Sequence, residues 1–186
     1  MPSKSVSSTK TMLSQIMTPN DANVLGKVFG GAILSMIDLT ASATAQKYSG
    51  TVCVTASFDR VDFHEPIEVG SLVEMEGYVG YVGRTSMEIV IAVYSTNLKD
   101  GVRKPTNNAR VTMVALDNGK PVEVPRLVCE SREDKIQFIE GKLRKELRTK
   151  YLREIGEKDA AVAALPDDKL DELIASSSVA ESLGLV

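Results

Sequence analysis

Residues 31–48 read GAILSMIDLTASATAQKY, and the fold is built on this segment. Its apolar side chains recur at the spacing of one helix face, and Gly50 follows as a C-terminal cap, so the segment predicts a single helix. The other side chains are mostly small and uncharged, which is typical of a helix that is buried over most of its surface. Asp38 is an exception: it is a carboxylate close to the apolar face, where a charged group requires a partner or a function.

After this helix the apolar residues recur at every second position, which is the period of a strand with one buried face. Turn residues separate four predicted long strands, at 51–61, 71–82, 85–96 and 107–116. A further strand is expected at 11–16, ahead of the helix. One buried helix followed by long antiparallel strands predicts an α+β fold in which the sheet wraps around the helix.

The composition limits the classes of function. The chain has 186 residues, 43% of them apolar and 25% charged, and it contains 2 cysteines and 1 histidine. With so few thiols and imidazoles, we expect no disulfide framework, no metal site and no Ser-His-Asp triad. No apolar run is long enough to span a bilayer, and residues 1–10 lack a secretory signal, so a cytoplasmic protein without a membrane partner is expected.

The net charge of −3 is unevenly distributed along the chain. Residues 157–186 contain seven acidic residues and two lysines, a net charge of −5, which leaves +2 for the rest of the chain. That excess is too small for a nucleic-acid-binding surface, but it is compatible with a small phosphorylated ligand.

Four features of the sequence are candidates for chemistry. At Gly30-Gly31 the helix begins, and its first N–H groups lack an intrahelical acceptor, so they can polarise a carbonyl or hold an oxyanion. Asp38 is suited to act as a general base or a nucleophile. Thr55, on a strand that can cross the helix, can hydrogen-bond Asp38 or a water, and Asn23 can donate its amide to a substrate carbonyl. Each feature also has a purely structural interpretation: a plain turn, a satisfied aspartate, an ordinary strand residue and a turn-forming asparagine.

Ordered motifs surround these residues. They are NDANVLGKVFGG at 20–31, MID at 36–38, VTAS at 54–57, DF at 62–63, VGRTSME at 82–88, NA at 108–109, VALD at 114–117 and GKP at 119–121. In this order and spacing they resemble the acyl-CoA thioesterase (acyl-CoA hydrolase) family of the hotdog superfamily. That family contains the bacterial YciA-type enzymes and the cytosolic acyl-CoA hydrolases of animals.

The resemblance implies roles for particular residues. Asn23 and Asp38 match the family's catalytic pair, and Thr55 and the Gly31 N–H are expected to assist them. The expected binding residues for the CoA part of the substrate are Gly30, Gly83, Arg84, Thr85 and Ser86. The family forms dimers whose active sites take Asn23 and Asp38 from different protomers, and three dimers form a hexamer, so the same homo-oligomer is expected here.

The expected organisation combines the resemblance with the patterns above. The predicted segments are a flexible arm at 1–10, a hotdog domain at 11–127, an amphipathic helix at 128–156 and an acidic, weakly ordered tail at 157–186. The tail is expected to contain one short helix near 169–175.

The expected reaction is hydrolysis of acyl-CoA to free CoA and a carboxylic acid, with no metal and no cofactor apart from CoA itself. Asp38 either activates the attacking water or attacks the thioester directly. Two other functions stay open. One is an acyl-thioester hydratase or dehydratase that uses the single histidine, His64, and the other is a non-catalytic acyl-CoA-binding regulator.

Overall fold

The computed structural model describes residues 3–179 of the chain. Residues 1–2 of the predicted arm and 180–186 of the predicted acidic tail lie outside this part. In chain order the elements are β1 (Ser3–Ser5), α1 (Val6–Thr9), β2 (Thr11–Ile16), a short 3-10 helix (Pro19–Asp21), α2 (Gly30–Ser49), β3 (Val52–Phe63), β4 (Leu72–Val82), β5 (Ser86–Thr96), β6 (Arg103–Asp117), β7 (Lys120–Pro121), β8 (Arg126–Val128), α3 (Arg132–Ala163) and α4 (Asp167–Ala175).

Helix α2 is the central helix that the sequence predicts. It ends at Gly50, whose φ of 76° is left-handed and whose N–H donates to the carbonyl oxygen of Gln46. Its buried residues are Ile33, Met36, Ile37, Thr40, Ala41, Thr44, Ala45 and Tyr48. The helix lies close to β4 at Gly77, where a Cβ would come 2.8 Å from Thr44 Oγ1. The absence of a side chain at Gly77 therefore permits this close approach.

Six strands form one antiparallel sheet with the order β2-β4-β5-β6-β3, and β7 pairs with β6. Side chains alternate along each strand, so that one face of the sheet packs against α2. The fully buried strand residues of the core include Val73, Met75, Val79, Ile89, Ile91, Val111 and Met113. One long helix packed on a long antiparallel sheet confirms the predicted α+β, hotdog-type fold.

One edge of the sheet and one side of α2 are apolar and exposed. The edge strand β3 is 12 residues long, and Val52, Val54 and Phe58 on it are 63%, 43% and 40% exposed. On α2, Leu34 and Leu39 are 38% and 56% exposed. The expectation that α2 is buried over most of its surface is therefore wrong for the single chain. Long edge strands with apolar side chains are surfaces that proteins normally cover.

Residues 3–9 form a strand and a helical turn instead of the flexible arm predicted for 1–10. Strand β1 pairs in parallel with β8, and Lys4 Nζ donates to the last carbonyl groups of α2. Thr9 is buried, and its Oγ1 accepts a hydrogen bond from the N–H of Val79. These partners are distant in sequence, so composition alone predicted no regular structure here.

In the described part of the chain, residues 3–142 form one compact unit, and residues 143–179 form a second. The start of α3 belongs to the first unit because it packs on β4. The rings of Phe138 and Tyr81 meet edge-on with centroids 5.1 Å apart. A Cβ at Gly141 would come 2.4 Å from the Cβ of Tyr81, so glycine permits this close packing.

The second unit consists of the remainder of α3 and of α4. Helix α3 continues to Ala163, past the predicted end at 156, because the following segment EKDAAVA is rich in alanine, a strong helix former. Helix α4 provides the short helix that was expected near 169–175 in the acidic tail. Within residues 3–179, no helix is long and apolar enough to cross a membrane. The cytoplasmic location stays a prediction.

Candidate active site

Asp38 and Thr55 meet between α2 and β3. Thr55 Oγ1 donates a hydrogen bond to Asp38 Oδ1 at 2.5 Å, within the range of the short bonds that hydroxyls make to carboxylates. Both side chains are half-buried. Met113 of β6 supports the contact, because its Sδ lies 3.4 Å from the same Thr55 oxygen. The hydroxyl fixes the direction of the carboxylate and leaves Asp38 Oδ2 without a hydrogen-bond partner among the described residues.

Asn23 lies in the loop before α2. The sequence left two roles open for it, a turn-forming residue and a donor to a substrate carbonyl, and its side chain can fill both. Its Oδ1 accepts hydrogen bonds from the N–H groups of Leu25 at 2.9 Å and Lys27 at 3.2 Å. Gly26, with a φ of 73°, completes this tight turn. Asn23 Nδ2 has no hydrogen-bond partner in the described part of the chain. Asn23 is therefore a turn residue whose amide N–H groups are available to a ligand.

The start of α2 combines unpaired N–H groups with two aromatic rings. Within residues 3–179, the N–H groups of Gly30 and Gly31 have no acceptor, and the side chain of the N-cap residue, Phe29, makes no capping bond. A Cβ at Gly31 would come 2.2 Å from Phe29 Cε1, and one at Gly30 would come 3.5 Å from the ring of Phe63. The positive end of the helix dipole can therefore bind a ligand oxygen between two rings.

A cavity of about 330 Å³ adjoins this helix start, at the lower end of the size of ligand pockets. Asn23 and Gly30 line it together with the exposed His64, the residue on which the hydratase alternative depends. Its apolar walls are Leu25, Val28, Ile33, Phe63, Pro66 and Ile67. The cavity therefore places an apolar space beside the free amide of Asn23.

The turn between β4 and β5 contains the residues expected to meet CoA. The N–H of Gly83 donates to the carbonyl oxygen of Ser86 at 2.7 Å, and the carbonyls of Arg84 and Thr85 accept hydrogen bonds from neighbouring segments. The side chain of Arg84 is 77% exposed, and its Nη1 lies 3.8 Å from Glu123 Oε1. Exposed ion pairs of this kind are weak, so the guanidinium can turn to a phosphate.

This turn lies at the same end of the sheet as Thr55. Ser86 pairs with Val114, which in turn pairs with Val54, the residue before Thr55. Since neighbouring strands lie about 4.8 Å apart, the backbone of the turn is about 10 Å from β3. A CoA arm can span that distance.

The predicted site residues fall into two groups within one chain. Asp38 and Thr55 form one group, and Asn23 and the helix start form the other. No hydrogen bond among the described residues joins Asn23 to Asp38. Met113 and Phe63 were not predicted as site residues, although Phe63 belongs to the quoted motif at 62–63, because both join the site through contacts between distant parts of the chain.

Neither cysteine has the properties of a nucleophile. Burial raises the pKa of the Cys53 thiol above its usual value, and burial also raises the pKa of the Cys129 thiol. Both thiols are therefore protonated at neutral pH. In the described part of the chain, no cluster of three His, Cys, Asp or Glu side chains is placed to hold a metal ion. The expectation that the protein needs no metal stays a prediction.

Comparison with known proteins identifies the family. The family model described as the Thioesterase superfamily matches residues 25–102. An uncharacterized acyl-CoA thioester hydrolase of Bacillus subtilis, YkhA, is 41% identical over 126 residues, which are 67% of this chain and 73% of that protein. The chain belongs to the acyl-CoA thioesterase family of the hotdog superfamily. The resemblance on which the sequence analysis relied is therefore confirmed.

Solved structures resemble this thioesterase-family chain closely. A crystal structure of an apo-hexameric acyl-CoA thioesterase has a TM-score of 0.78 and 40% identity, and the match covers 82% of this chain and 98% of that one. The acyl-CoA hydrolase of Staphylococcus aureus, in complex with butyryl-CoA, CoA and CoA disulfide, has a TM-score of 0.77 and 32% identity, with 87% and 99% covered.

Structures of three single variants of the Staphylococcus aureus hydrolase also resemble this chain. In them an asparagine, an aspartate or a threonine is replaced by alanine. Along that chain the aspartate follows the asparagine by 15 residues, and the threonine follows the aspartate by 17.

Proposed function

We propose that this chain hydrolyses acyl-CoA thioesters to CoA and a carboxylic acid, using Asp38, Thr55, Asn23 and the Gly31 N–H. The observation that carries the proposal is the hydrogen bond from Thr55 to Asp38, which aims a carboxylate from the central helix. The spacing of Asn23, Asp38 and Thr55, 15 and 17 residues, equals that of the three residues replaced in the Staphylococcus aureus hydrolase, which supports the assignment.

In the proposed reaction, the thioester carbonyl binds at the start of α2. Its oxygen accepts a hydrogen bond from the Gly31 N–H, and the helix dipole stabilises the negative charge that develops there. Asn23 Nδ2 donates either to this oxygen or to the attacking water.

Asp38 completes the reaction as a general base. It takes a proton from the water as the new C–O bond forms, and the C–S bond then breaks. The proton passes to the CoA thiolate that leaves, while Thr55 keeps the carboxylate in position. A direct attack by Asp38, which gives an anhydride that water hydrolyses, is the competing route. Neither route uses a metal or a cofactor apart from CoA.

A second copy of the chain would join the two groups of residues into one site. The long edge strand β3 and the exposed Leu34 and Leu39 of α2 form an apolar surface that a second copy can cover. In the proposed dimer, Asn23 of one protomer faces Asp38 of the other, so each dimer has two sites. The hexameric relative supports a trimer of such dimers.

The turn at Gly83–Ser86 is proposed to hold CoA. Arg84 would leave its weak pair with Glu123 and bind a phosphate, for which a guanidinium is well suited. Arg84→Ala should then raise KM for acyl-CoA while leaving turnover of a short thioester without the nucleotide almost unchanged. Equal effects on both substrates would contradict this role.

A thiol-release assay on short, medium and long acyl-CoAs tests the whole proposal. Asp38→Ala and Asn23→Ala should each lower kcat/KM by about a hundredfold or more, since each removes a group that acts on the transition state. Asn97→Ala is the matched control, because Asn97 Oδ1 accepts a hydrogen bond from the Lys99 N–H at 2.9 Å, as Asn23 Oδ1 does from Leu25, but outside the site. Near wild-type turnover in both site variants, with intact assembly, would refute the assignment.

The same assay separates the two alternative functions. His64 lines the cavity beside Asn23, which is the one observation in favour of a hydratase. Under the proposed function, His64→Ala keeps thioester hydrolysis. Loss of activity in that variant, together with wild-type hydration of an enoyl-CoA, would support the hydratase. Tight acyl-CoA binding by the wild-type protein without thiol release would support a regulator.

A further inference from the structure

Two aromatic rings from different elements enclose the glycine pair. Phe29 precedes α2 and its ring lies against Gly31, while Phe63 ends β3 and its ring lies 3.5 Å from the Cβ position of Gly30. Both side chains are more than half exposed, at 58% and 52%. Each ring leaves an apolar area beside the helix start that the acyl part of a substrate can cover.

The Phe63 ring also forms a wall of the cavity that contains Asn23 and Gly30. The other apolar residues that line this cavity include Val28, Ile33 and Ile67, which are nearly fully buried, at 8%, 2% and 5% exposure. Phe63 therefore adds an exposed ring to a cavity that also contains buried aliphatic side chains and the polar groups of Asn23 and Gly30.

We infer that Phe63, with Phe29 on the other side of the glycine pair, limits the bulk of the acyl group next to the reacting carbonyl. The inference rests on the proposed function, in which the thioester carbonyl binds the Gly31 N–H. A straight acyl chain passes along the ring into the cavity. A methyl branch on the carbon next to the carbonyl meets the ring, so the enzyme discriminates against α-branched acyl-CoAs.

The test compares kcat/KM for butyryl-CoA and isobutyryl-CoA, which differ in branching at that carbon. Phe63→Ala should narrow the preference for butyryl-CoA about tenfold, since one methyl group in a shaped pocket changes kcat/KM by at least that much. Phe63→Trp should widen the same preference, because a larger ring leaves less room. Opposite shifts from two substitutions at one position would not result from a general loss of stability.

Tyr94→Ala is the control. It removes an aromatic ring from strand β5, where the ring stacks with Arg103, and Tyr94 does not line the cavity. Its preference ratio should stay at the wild-type value. A ratio that changes less than twofold in Phe63→Ala, or equally in Tyr94→Ala, overturns the inference while wild-type hydrolysis leaves the proposed function intact. A wild-type protein that releases no CoA from either substrate refutes the proposed function itself.

Discussion

Replacing Thr55 with valine isolates the hydrogen bond that aims Asp38. Valine has nearly the same shape and is equally suited to a strand, so the substitution removes the hydroxyl and little else. The lost bond is short, 2.5 Å, and it ends on a half-buried carboxylate. Hydrogen bonds to charged groups contribute about 1.5–3 kcal/mol, and each 1.36 kcal/mol corresponds to a tenfold change in rate. We therefore expect kcat/KM to fall by about 10- to 100-fold in Thr55→Val.

The assay is thiol release from butyryl-CoA, with kcat and KM determined separately and folding checked by thermal melting. The loss should be in kcat, because Thr55 acts on Asp38 and not on CoA, and Thr55→Ser should recover most of the activity. Thr112→Val makes the same substitution on the neighbouring strand β6, away from Asp38, and should keep wild-type turnover. Activity within twofold of wild type in Thr55→Val would refute the positioning role of Thr55.

Three further predictions concern other parts of the molecule. Gly31→Ala should lower kcat by about a hundredfold, and more than Gly30→Ala does, because its Cβ would come 2.2 Å from the ring of Phe29 and displace it from the site. Thr112→Val should raise the free energy of unfolding by about 1 kcal/mol in urea titrations, since Thr112 Oγ1 is buried without a hydrogen-bond partner in the described chain. Burial raises the pKa of Tyr48 in the folded protein. The stabilisation that the protonated Tyr48 provides is therefore complete below about pH 10 and is lost as the pH rises further. The free energy of unfolding should accordingly fall less steeply above about pH 10 in Tyr48→Phe than in wild type.

Much of the fold follows from local patterns. The periodicity of 31–48 and the glycine at position 50 predicted α2, and the alternation of the later segments predicted four of the strands within a few residues. These patterns work because one face of each element is buried, which is a property of the element itself. The pairing of residues 3–5 with β8 escaped prediction because it depends on a partner far along the chain.

In the candidate site, too, some features follow from local patterns and others depend on distant parts of the chain. Asp38 was recognisable as a carboxylate on an apolar helix, and Thr55 as a possible partner on a crossing strand. The contact of Phe63 with Gly30 was not predictable, since it depends on where β3 ends relative to the start of α2. Asn23 shows a further limit of prediction from sequence. Its turn depends only on neighbouring residues, but its free amide can act only on a substrate and, in the proposed dimer, opposite a second protomer.

The central claim is that one active site takes Asn23 and Asp38 from different protomers, and subunit mixing tests it most directly. The variants Asn23→Ala and Asp38→Ala are each prepared alone, shown to be inactive, mixed in equal amounts and allowed to exchange subunits. If the site is shared, each mixed dimer regains one complete site, so thiol release should recover to about one quarter of the wild-type rate. If both residues act within one chain, no mixed dimer contains a complete site, and a mixture that stays inactive after proven exchange would contradict the account.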